Sequence, residues 1–104
     1  MSVTPKKLFQ QQLGTGTNTL YTTPTGYRTQ ITEMWVSNTT TDPISFTLKA
    51  HGDLEGNILL NEVEVEENLN IDGMKVVLDD SEVVYGEGTD LIVTAYGIEE
   101  EVSG

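Results

Sequence analysis

Ile44, Phe46, Leu48 and Ala50 alternate strictly with Ser45, Thr47 and Lys49, which is the two-residue period of a strand with one dry face. Upstream, Ile31, Met34, Trp35 and Val36 carry the bulk of a second arm, to which Thr32 and Trp35 add strand propensity. Between the arms, the run SNTTTDP at 37–43 consists of residues that bend the chain or bond to their own backbone. Residues 31–50 are therefore expected to form a hairpin with a long polar loop, the element around which the rest is arranged.

The same reading extends along the chain. Strands are expected at 8–13 and 18–23, the first broken by Gly14 and Gly16 and the second closed by Pro24 and Gly26. Residues 58–60 read as a buried strand, and Val63 and Val65 then alternate with Glu62, Glu64 and Glu66. Asp72-Gly73 suits a tight turn with positive φ, and strands follow at 74–78, 82–85 and 91–98. About eight short strands, with turn signals between them and no helical period, predict an all-β fold: an antiparallel β-sandwich of jelly-roll or Ig-like type. A chain of 104 residues is one domain's worth. The expected division is an N-terminal arm at 1–7, a sandwich at 8–99 and an acidic tail at 100–104.

Charge changes this picture. Residues 1–50 hold four bases and two acids, whereas 51–104 hold one base and fifteen acids. A net charge of −12 repels phosphate backbones, so nucleic acid is not an expected partner. It also favours solubility and a basic partner surface. With no cysteine there is neither a disulfide nor a thiolate metal site. No run is apolar enough to span a bilayer, and 1–20 lack a signal-peptide block, so no membrane role is expected.

Candidate chemistry is sparse. His51 is the only histidine and has no companion nucleophile in sequence. Asp53, Glu55 and Asn57, with Glu62 further on, start like a calcium loop, but Ile58 stands where such a loop requires glycine. Asp79, Asp80 and Glu82 form a second acidic group, and Gly14-Thr15-Gly16 lacks the lysine of a phosphate loop. Trp35, Tyr21, Tyr27, Tyr85 and Tyr96 are aromatic residues of the kind that anchor cores and subunit interfaces or line a sugar-binding face. No catalytic, cofactor or metal residue is assigned, and no enzymatic activity is expected. Lys6, Lys7, Phe9, Trp35 and Tyr85 are the residues expected at an interface.

Leu20-Tyr21-Thr22-Thr23-Pro24-Thr25-Gly26-Tyr27, followed by Ile31 and Trp35-Val36-Ser37-Asn38-Thr39-Thr40, resembles the opening of small all-β virion proteins of tailed bacteriophages. The segments 44–48, 58–63 and 91–99 continue the likeness, which covers roughly residues 13 to 99. Trp35 departs from it, standing where smaller aliphatic residues are usual. The resemblance implies a non-enzymatic virion protein of capsid-decoration, head-fibre, neck or tail type, assembled in the host cytoplasm into the particle. It implies as partners a homo-oligomer, with a trimer among the options, and the major capsid protein or another virion protein. The rival reading is a carbohydrate- or receptor-binding module of a tail or baseplate.

Overall fold

The computed structural model describes residues 5–51 and 55–102. Eight strands form, β1 (Lys6–Gln12), β2 (Thr17–Thr22), β3 (Tyr27–Ser37), β4 (Ile44–Ala50), β5 (Ile58–Val65), β6 (Asn68–Leu78), β7 (Val83–Glu87) and β8 (Ile92–Glu101). They make two four-stranded antiparallel sheets with the orders β1-β8-β3-β6, here sheet A, and β2-β7-β4-β5, here sheet B. Two apolar inner faces meet between them. Met34 and Val36 of β3 and Val93 and Ala95 of β8 are buried from one side, and Phe46, Leu48, Val65 and Val84 from the other. Removing those alternating side chains from water is the main force that closes the sandwich.

The pairing has a simple logic. Strand β1 pairs with β8, β2 with β7, β3 with β6 and β4 with β5, as in one long antiparallel ribbon folded at its middle. Rolling that ribbon adds the two further ladders, β3 with β8 and β4 with β7. The outcome is an eight-stranded jelly roll. Every connection between the described strands crosses from one sheet to the other except that between β4 and β5.

The expected hairpin over 31–50 is therefore corrected: β3 and β4 lie in different sheets and do not pair. Alternation shows which face of a strand is dry, but two strands facing one core from opposite sheets alternate alike. Asn38 holds the crossing. Its amide donates to the carbonyls of Asp42 and Val65, each at 2.8 Å, and its own oxygen accepts from the Thr40 backbone at 2.9 Å. The Asn38 N–H also donates to the Glu67 carbonyl at 2.7 Å, tying this arch to the one between β5 and β6.

Other expectations shift by smaller steps. Asp72-Gly73 does not turn the chain; it starts a bulge inside β6, where residues 73–75 oppose the single Thr32 of β3. The positive φ expected there is present, 72° at Gly73, and it serves the bulge. Residues 58–60 and 63–65 form one strand interrupted at Glu62, whose φ is 47° and whose N–H donates to the Thr47 hydroxyl at 3.1 Å. Leu59, read as buried, is 46 % exposed on β5. Strand β1 takes in Lys6 and Lys7 from the expected arm, and β8 runs on to Glu101.

Candidate functional site

Ladder register fixes which side chains share the outer face of sheet A. One row across β1, β8, β3 and β6 is Gln10, Thr94, Trp35 and Asn70, and the next is Lys7, Tyr96, Glu33 and Asp72. Beyond Thr32, which has no partner on β8, Ile98, Gln30 and Val77 form a third. Val77, 40 % exposed, stands two rows from Trp35, whereas Trp35 and Tyr96, 42 % and 37 % exposed, form an aromatic patch in adjacent rows. Polar groups surround it. The Asn70 amide donates to the Glu33 carboxylate at 3.0 Å, which orients both beside the Trp35 ring.

Charge is concentrated in the connections between strands. The four strands of sheet A hold Lys6, Lys7, Arg28 and Lys75 against five acids, a net −1. The strands of sheet B hold Lys49 against Glu62, Glu64 and Glu87, a net −2, and the remaining nine acids lie in the connections. Both sheets are near neutral in a strongly acidic protein.

A second constellation closes one end of the sandwich around Glu99 of β8. Its carboxylate, with 8 % of the side chain exposed, accepts from the Thr29 hydroxyl at 2.8 Å, from Lys6 Nζ at 3.3 Å and from the Tyr21 hydroxyl. Thr23 donates in turn to Thr29 at 3.1 Å. Burial works against charge on Glu99, but the three donors outweigh it and hold the carboxyl below its usual value. Tyr21 is pushed up to about 12, by burial first and then by the bond to Glu99 and its charge. Phe9 stacks on the Tyr21 ring with centroids 5.9 Å apart. The arrangement ties β1, β2, β3 and β8 together, and every polar group in it is already satisfied by its neighbours.

A third cluster lies on the turn between β6 and β7. His51 Nδ1 is 2.9 Å from a Glu82 carboxylate oxygen, Arg28 Nε donates to Asp79 at 3.0 Å, and the Gly26 N–H donates to Asp80 at 2.8 Å. Glu82 sits below the ordinary carboxylate value because it accepts first from the Asp79 N–H and then from His51. These bonds link three connections. Among the described residues, no three His, Asp or Glu side chains come together to hold a metal ion. Asp53 of the calcium-like run lies outside the described residues.

Of the interface candidates, the structure brings Lys7 and Trp35 to one surface, the outer face of sheet A. Lys6 and Phe9 go instead to the Glu99 end of the sandwich. Tyr85 stands on the outer face of sheet B, opposite Lys49 and Thr19, so the tryptophan and this tyrosine cannot share a ligand. Tyr96 is the aromatic neighbour of Trp35. Glu99, read as the start of a charged end, proves to be the most enclosed carboxylate contact of that end, because its donors come from three separate strands. No protein-family model matches this chain, and no curated protein matches it.

Proposed function

We propose that this protein is a non-enzymatic structural component of a tailed-phage particle, a decoration or head-fibre type that binds the shell and associates with copies of itself. The observation that carries the reading is the strand order, an eight-stranded jelly roll of the architecture that recurs in viral shell proteins. The likeness of residues 20–40 to virion proteins points the same way. A net charge of −12 suits a protein made in many copies that must stay dissolved before assembly. Jelly rolls also serve lectins and cupins.

One observation favours a second reading. Trp35 and Tyr96 lie in adjacent rows with Gln10, Asn70 and Glu33 around them, an aromatic surface ringed by groups that bond hydroxyls. A glycan-binding module of a tail or baseplate would use such a face. Two experiments separate the readings. Quantitative mass spectrometry of purified phage particles, with cosedimentation of the added chain, is expected to give a fixed copy number and saturable binding. A glycan array with Trp35→Ala and Tyr96→Ala controls is expected to give no specific signal; a signal lost in both variants would favour the module.

A further inference from the structure

We infer that the outer face of sheet A is the surface through which two copies of this chain pair, related by a two-fold axis that runs along the strands between β8 and β3. The inference deepens the self-association in the reading above and rests on that part of it alone. Three observations carry it.

The first is charge. A second copy also carries −12, of which the connections hold −9 and the strands of sheets A and B only −1 and −2, so two copies repel one another least where sheet faces meet. Sheet A carries the smaller charge of the two. The second is composition, since three of the large exposed apolar side chains, Trp35, Tyr96 and Val77, gather on this face. Aromatic groups at the centre of a patch with polar groups at its rim have the make-up of a protein interface.

The third is the state of the edges. The outermost strands are β1 and β6 in sheet A and β2 and β5 in sheet B, and each carries a register shift. The shifts fall between Lys7 and Phe9, between Thr19 and Tyr21, at Glu62, and at residues 73–75. Interrupted edges resist strand-to-strand addition of another chain, which leaves faces as the route to association.

The two-fold follows from the order of residues across the sheet. A rotation about an axis along the strands sets β1 of one copy over β6 of the other and β8 over β3. The row Lys7, Tyr96, Glu33, Asp72 then meets itself reversed, Lys7 facing the second copy's Asp72 and Tyr96 facing the second copy's Glu33. In the neighbouring row Trp35 covers the second copy's Thr94. Such an interface is self-complementary, as a two-fold requires.

Sedimentation equilibrium of the full chain tests this. The wild type is expected to be a dimer, and Trp35→Ala to raise its dissociation constant at least about tenfold. Lys7→Asp and Asp72→Lys each weaken the dimer, and the double exchange recovers most of the loss, an outcome that packing alone does not produce. Tyr85→Ala, on the opposite face, leaves the constant unchanged, and far-UV circular dichroism checks that each exposed-site variant stays folded. A wild-type trimer, a monomer at all concentrations, or a dimer indifferent to these substitutions overturns the pairing. Cosedimentation with particles is scored separately: a monomer that binds them overturns the pairing alone, and a dimer that does not overturns the virion reading alone.

Discussion

The Tyr21 hydroxyl of β2 donates to the Glu99 carboxylate of β8 and so joins the two sheets at one end of the sandwich. The contact sits over Thr29 and Thr23, both buried, and beneath Lys6. A carboxylate with donors from β1, β2 and β3 is a lock whose strength depends on its charge.

The pH dependence of stability follows from that charge. The folded state favours the ionised form of Glu99, so this stabilisation is complete above the ordinary carboxylate value of 4.5 and is lost as pH falls through the group's lower folded value. Denaturant midpoints measured across the acid range are expected to decline more gently in Glu99→Gln than in the wild type.

Tyr21 acts at the other limb. Its value is raised, so its contribution is full below pH 10.0 and is lost as pH climbs from there through about 12. Tyr21→Phe is expected to cost about 1.5–3 kcal/mol at neutral pH, the range for bonds to charged groups, and to remove this alkaline dependence. Urea titrations at neutral and alkaline pH measure both effects.

Asn38→Ala is expected to destabilise by about 1–3 kcal/mol, because the Val65 carbonyl loses its side-chain donor inside the molecule. Asn38→Asp keeps the size but not the donors and should fare no better. Equilibrium unfolding of the two variants provides the comparison.

Gly97→Ala is expected to cost at least about 3 kcal/mol or to prevent folding. A β-carbon built there falls 2.0 Å from the Gln30 carbonyl oxygen, and backbone cannot withdraw as a side chain can. Gly73→Ala meets open space but must hold φ at 72°, so its cost is smaller, about 1 kcal/mol. The ranking of the two by thermal unfolding is the check.

Period-2 alternation around Phe46 and Leu48, and the glycine and proline breaks between segments, made the all-β class and most strand positions legible in the sequence. Neighbour relations were not. A polar run such as 37–43 serves equally as a hairpin loop and as an arch between sheets, and the choice rests on Asn38 finding Val65, 27 residues away. Bulges escaped for a related reason: Asp72-Gly73 carries the chemistry of a turn, and only the return of β6 to its pairing with β3 at Val76 makes it an interruption. At the candidate surface, Lys7 and Trp35 were visible as residue types, while Tyr96 became their companion only through the register of β8 between β1 and β3.

Because β8 lies between β1 and β3, sheet A remains split during synthesis until Glu101 has left the ribosome. Contacts joining the early and late parts of a chain form slowly. The surface bearing Trp35 and Tyr96 is thus complete only once β8 has taken its place between two strands made much earlier.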